Sequence, residues 1–109
     1  MNPLRGELWW VDLNPTRGSE INKKRPCLVV SMDVLNQRRK TVVVVPLSTA
    51  PTVRPPLTVA IMCAGRQAVA VIDQIRATAK ERFGNKIGTA TAAELEAVEE
   101  SLREILSIA

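Results

Sequence analysis

"RGSEINKKRPCLVVS", Arg17 to Ser31, crowds five ionisable side chains into its first nine positions and then turns apolar. The polar part has no place in a core. Cys27, Leu28, Val29 and Val30 form a run continuous enough to be covered on both faces. The spacing predicts a buried strand over Pro26 to Ser31 with a charged loop, Arg17 to Lys24, fastened directly to it. Arg25 stands at the junction, where Pro26 fixes the backbone, so a long cation is mounted on a rigid base.

Strand patterns continue on both sides. Glu7 to Leu13 reads as a strand that sends Trp9 and Trp10 to opposite faces, and Asn14-Pro15 ends it. Thr41 to Leu47 (TVVVVPL) is β-branched and suits the middle of a sheet. Ser48 to Pro56 holds three prolines and Arg54 and reads as a loop. Leu57 to Met62 and Ala68 to Ile72 are two further strands about a turn at Ala64 to Gln67. Thr78 to Phe83 is expected to make one helical turn, and Asn85 to Gly88 a short strand end. Thr91 and Glu94 form a capping box, after which Leu95, Val98, Leu102, Ile105 and Leu106 mark the apolar stripe of an amphipathic helix. The pattern predicts one domain over residues 1–109. It is mainly β with α additions, a small and mostly antiparallel barrel closed by the C-terminal helix.

The chain of 109 residues carries a net charge of +4. Residues 91–109 hold one base, Arg103, against five glutamates, which leaves fourteen bases and six acids in residues 1–90, a net +8. A basic body of that size suits a polyanion. No run of apolar residues is long enough to cross a membrane, and the start, MNPLRGELWW, lacks the apolar centre of a signal peptide. The cytoplasm is the expected compartment. With no histidine and no CxxC, an imidazole-bound metal site is disfavoured and the commonest general base is missing. No cofactor is expected either, because the five glycines fit neither GxGxxG nor a P-loop. A Ser-His-Asp triad is impossible. Cys27 reads as a small buried hydrophobe.

What remains for chemistry is a set of arginines, hydroxyls and carboxylates at strand ends. Arg25 can grip a phosphate in bidentate fashion. Ser48 and Thr49 offer hydroxyls after the third strand, Ser19 and Glu20 lie in the loop before Arg25, and Asp73 and Gln74 end the strand after Val71. Singly, each has an ordinary reading. Arg25 fits a surface arginine, Ser48-Thr49 a turn, Lys23-Lys24 a solvated run, and Trp9-Trp10 core and interface more than a base-stacking platform.

Taken together, "RGELWWVDLNPTRGSE" (5–20), "RPCLVVS" (25–31), "PLST" (46–49) and "DQIRATAKER" (73–82) resemble the MazF/PemK/Kid family of bacterial toxins. The motifs come in the family order and cover nearly the whole chain. The resemblance implies an SH3-like barrel, usually a homodimer, and a metal-independent, sequence-specific endoribonuclease acting on single-stranded RNA. It also implies silencing by a cognate MazE-like antitoxin, expected to be acidic and partly disordered. By carry-over, Arg25 stabilises the phosphorane and Ser48 supplies the hydroxyl where better-known members carry threonine. Arginine is a poor base because its pKa lies above about 12, so the base is Glu20 or Asp73, and Glu20 is favoured. RNA contacts are expected from Arg17, Ser19, Asn22, Lys23, Lys24, Thr49, Arg54, Gln74 and Arg76. The chain departs from the Kid-like branch at Val71, which stands where that branch has arginine, at Ser19, which stands for histidine, and at Ala79, where a carboxylate is lost. Two alternatives are a CcdB-like gyrase-inhibiting toxin, which needs no phosphate-gripping arginine, and a catalytically inactive RNA-binding module.

Overall fold

A computed structural model describes residues 2–14, 18–20 and 23–109. Strands β1 (Glu7–Asp12), β2 (Lys24–Val29), β3 (Thr41–Ser48), β4 (Thr58–Cys63), β5 (Arg66–Val71), β6 (Arg76–Ala79) and β7 (Phe83–Thr89) pair antiparallel throughout. Their order is β4-β5-β3-β2-β1-β7, with β6 also paired to β3. Two helices complete the chain, α1 (Asp33–Arg38) and α2 (Ala92–Ile105). The expected architecture, mainly β and closed by a C-terminal helix, is the one observed.

The alternation of side chains divides the interior in two. Leu8, Leu28, Val45 and Leu47 face Val59, Ile61, Ala70, Ile72 and, on α2, Val98. The other face carries Val11, Leu13, Cys27, Val29, Val42 and Val44. Trp9 and Phe83 edge it in a T-shaped contact, with ring centroids 6.0 Å apart. β1 and β6 are not neighbours in the sheet, yet the end of β1 and the whole of β6 line one cavity. The sheet therefore curls into a half-barrel around the second core.

Two prolines set where the ladders stop. The Val30 N–H bonds to the Val43 carbonyl at 3.0 Å. Because bonded and non-bonded rungs alternate in antiparallel pairs, the Leu28↔Val45 rung is bonded and the Cys27↔Pro46 rung is not. The nitrogen of Pro46 thus faces the opposite edge of β3. There, β6 pairing ends at Val44 and β5 pairing begins at Leu47. A central-strand proline is tolerated here because its missing donor falls in that gap. Pro26 occupies the next bonded position, and the β2–β3 ladder ends just before it, at Cys27.

Several boundaries differ from expectation. β2 starts at Lys24, two residues before Pro26, because Lys24 and Arg25 still pair with Asp12 and Val11. The β4–β5 turn is two residues, not four: Ala64 (φ 52°) and Gly65 (φ 78°) both take the left-handed conformation that suits a tight hairpin. The expected helical turn over Thr78 to Phe83 is replaced by β6 and a single 3-10 turn, Lys80–Arg82. Ala77 and Ala79 hide the period, whereas Arg76 and Thr78 alternate as a strand requires. β7 is correspondingly longer than the strand end expected at Asn85 to Gly88. Helix α1 was not foreseen. Six residues are too few for an apolar stripe, and a buried side chain holds it instead: Asn36 Nδ2 donates to the Ser31 carbonyl at 2.9 Å.

The capping box at Thr91 forms as expected, with Glu94 N–H donating to Thr91 Oγ1 at 3.1 Å and Thr91 N–H to Glu94 Oε1 at 2.9 Å. The second carboxylate oxygen of Glu94 accepts the Met62 N–H at 2.7 Å, tying α2 to β4. Leu106 lies past the helix end and is exposed, so the apolar stripe stops at Ile105. At the start of β1 the Glu7 carboxylate is buried, and it accepts from Leu4 N–H (2.7 Å) and Trp9 Nε1–H (3.0 Å) and pairs with Lys86 Nζ (2.8 Å).

Candidate active site

Residues opposite one another in a ladder share a face. The rungs Val11↔Arg25, Trp9↔Cys27, Cys27↔Pro46 and Val44↔Arg76 therefore put Arg25, Cys27, Pro46, Ser48 and Arg76 on the inward, curled face. Carrying the β2–β3 register two residues past Cys27↔Pro46 sets Arg25 opposite Ser48. That position lies beyond the last paired rung, which Pro26 ends. The arginine and the hydroxyl thus stand on one face, just past the end of the β2–β3 ladder. Arg25 is half-buried, and so is Ser48.

Ser48 Oγ accepts the Ala50 N–H at 3.3 Å. The turn role suggested by its spacing is real, and it leaves the hydroxyl proton available for an outside acceptor. Thr49 follows in the turn, exposed. Arg76 Nε donates to the Gln74 carbonyl at 3.4 Å and its Nη2 to Gln74 Oε1 at 3.3 Å, so these two site candidates are joined to each other. Burial pushes the Cys27 thiol up to about 12, and the Arg76 charge acts in the opposite sense.

The loop before Arg25 is closed at its base. Leu13 N–H donates to the Lys23 carbonyl, and Lys23 N–H donates to Asn14 Oδ1, each at 3.0 Å. Lys23 itself holds φ 69°, an uncommon conformation for a side chain of its size. Ser19, Glu20, Lys23 and Lys24 are exposed. Arg17 and Asn22 lie outside the described residues. Asp73 is exposed in a 3-10 turn, Ile72–Gln74, at the end of β5. Arg54 sits in the β3–β4 loop, where its N–H donates to Thr58 Oγ1 at 2.6 Å. It belongs to the β4 side of the molecule and not to the row of Arg25. Among the described residues, no group of three or more His, Cys, Asp or Glu side chains is arranged to hold a metal ion.

Arg82 and Thr78 escaped the sequence reading, and Trp10 was weighed there as core and interface more than as a base-stacking platform. Trp10 is 45% exposed and, with Lys24, Phe83, Gly84 and Arg82, lines an open cleft of about 520 Å³. Arg82 Nη1 donates to the carbonyls of Asp12 (3.2 Å) and Asn14, gripping the end of β1 where the loop leaves it. Thr78 and Arg76 line a smaller cavity of about 200 Å³ that shares Asp12 and Arg82 with the cleft. Only the alternation of Arg76 and Thr78 in the sequence could have indicated that both face inward.

Residues 4–106 match the family described as the PemK-like, MazF-like toxin of the type II toxin–antitoxin system. The chain is 40% identical over 108 residues to the endoribonuclease MazF9 of Mycobacterium tuberculosis, covering 91% of this chain and 92% of that protein. It is 31% identical over 105 residues to the endoribonuclease toxin MazF of Escherichia coli, covering 95% and 94%. A solved mycobacterial endoribonuclease in complex with its cognate antitoxin superposes with a TM-score of 0.82 at 26% identity, over 98% of this chain and 97% of that one. The chain belongs to the PemK/MazF family of toxins of type II toxin–antitoxin systems and is an enzyme of the endoribonuclease class that its relatives' names record.

Proposed function

We propose that the chain is the toxin of such a pair, cutting single-stranded RNA at a short sequence without a metal ion. The observation that carries this reading is the register of β2 on β3, which sets Arg25 opposite Ser48 on one face just past the ladder that Pro26 ends. A phosphodiester placed between them meets a guanidinium and a hydroxyl donor, the two groups needed to spread charge on the phosphoryl oxygens. The ribose 2′-oxygen attacks the adjacent phosphorus as its proton passes to Glu20, and the bond to the 5′-oxygen breaks. That oxygen takes up a proton, leaving a 2′,3′-cyclic phosphate and a 5′-hydroxyl. Asp73 is the second candidate base. Ser19, Lys23, Lys24, Thr49, Gln74 and Arg76 hold the flanking nucleotides, joined by Arg17, Asn22 and Arg54.

The partner is an acidic antitoxin laid along the basic face of residues 1–90. The antitoxin complex of the similar mycobacterial protein supports this, as does the +8 charge. The working unit is a homodimer in the cytoplasm, its exposed apolar residues, such as Met32, Val34 and Leu35, offering surface for a second copy.

Cleavage of a long mixed-sequence RNA in excess EDTA, with mapping of the 3′ ends, tests the reading. Cuts at one short word ending in cyclic phosphate are expected, with Arg25→Ala slower by about 10²–10³. Cleavage abolished by EDTA, or unaffected by Arg25→Ala, would refute the mechanism. RNA binding without any cuts would leave a binding module.

A further inference from the structure

The cavity of about 200 Å³ between the end of β1 and β6 has a property that the reaction above does not use. Thr78, which lines it, is 5% exposed, and its Oγ1 has no hydrogen-bond partner among the described residues. A buried hydroxyl without a partner is costly, and a ligand that accepts its proton removes the cost. Arg82, on the same wall, has one guanidinium nitrogen anchored on the carbonyls of Asp12 and Asn14, and it is in no ion pair among the described residues. Arg76 forms a third side. The one carboxylate of the lining, Asp12, is engaged by the Asn14 N–H at 3.0 Å, which leaves the Arg82 charge without an opposite charge among the described residues. The balance favours an anion small enough for the volume.

We propose that this cavity is a second phosphate subsite, in which Thr78 Oγ1–H and Arg82 hold a non-scissile phosphate of the bound RNA. The proposal rests on the ribonuclease reading given above. Tetrahedral oxygens can accept from a guanidinium and a hydroxyl together. RNA is favoured over an acidic peptide by position. Arg76, which lines the cavity, stands on the same inward face as Arg25.

The test compares wild type, Thr78→Val, Thr78→Ser and Arg82→Gln on an RNA with one mapped cut, and on the same RNA carrying a single methylphosphonate at each position in turn. Thr78→Val is expected to raise KM about tenfold with kcat retained, since it removes one hydrogen bond to a charged group. Thr78→Ser restores KM, and the melting temperature of Thr78→Val does not fall, because no partner is lost inside the protein. One methylphosphonate position raises the wild-type KM by a similar factor and adds nothing in Thr78→Val. Arg82→Gln lowers the slope of log affinity against log salt by about 0.7. If wild type cuts the RNA but Thr78→Val shows the same KM and the same methylphosphonate profile, the subsite is disproved and the ribonuclease reading stands. If Thr78→Val weakens binding of an acidic peptide and not of RNA, the cavity serves the antitoxin and the proposal is wrong. A wild type that cuts nothing removes both.

Discussion

Glu7 binds three partners through one buried carboxylate: Leu4 N–H, Trp9 Nε1–H and Lys86 Nζ. Burial alone would raise its pKa, but the hydrogen bonds from Lys86, Leu4 and Trp9, with the charge of Lys86, outweigh that and hold the carboxyl below its ordinary 4.5. A carboxyl depressed on folding contributes stability that is present above 4.5 and lost as pH falls through the lowered value. Acid denaturation followed by circular dichroism should therefore show wild type losing more stability than Glu7→Gln between about pH 5 and pH 3. At neutral pH Glu7→Gln is expected to be less stable by about 1–3 kcal/mol. An equal loss in both proteins would show that the three bonds contribute nothing pH-dependent. Residues of this kind were partly legible. Arg25 announced itself through the proline that follows it, and Ser48 through its place after a β-branched strand. Thr78 and Arg82 did not, because their value depends on which residues the curl of the sheet brings opposite them.

At the scale of elements, Pro26 is the part whose effect is easiest to isolate. It ends the β2–β3 ladder one rung before Arg25 and Ser48. Pro26→Ala supplies the missing N–H at a position where alternation directs it toward Leu47. The expected result is a protein as stable as wild type or nearly so, with an added rung beside Arg25 and Ser48 that cuts kcat by roughly tenfold to a hundredfold. Amide exchange at residue 26 would report the new bond, and an unprotected amide with full activity would count against this account. The elements read best from sequence were those with their own local signal: β3 from its β-branched run and α2 from its capping box. β6 and α1 had none. Alternating alanines mask the period of β6, and α1 is a short turn that depends on Asn36 bonding back to Ser31.

The molecule as a whole balances a basic body against an acidic helix, and this much the composition foretold. The run from Cys27 to Val30 foretold that the sheet is covered on both faces, but not which residue faces which core, because Cys27 and Leu28 look alike in it. One contact then has a consequence for how copies of the chain behave together. β4 is one of the two outer strands of the sheet, with β7 at the other end, and an outer strand offers unsatisfied N–H groups to any passing strand. Glu94 already occupies the one at Met62 and sets a negative charge there. Thr91→Ala should lower the melting temperature through the lost cap, about 1 kcal/mol, and leave the protein soluble. Glu94→Ala loses the cap as well and uncovers the edge, so light scattering at high concentration should rise in that variant alone. On that outcome, a single carboxylate on β4 is what keeps copies of the chain from joining edge to edge into filaments.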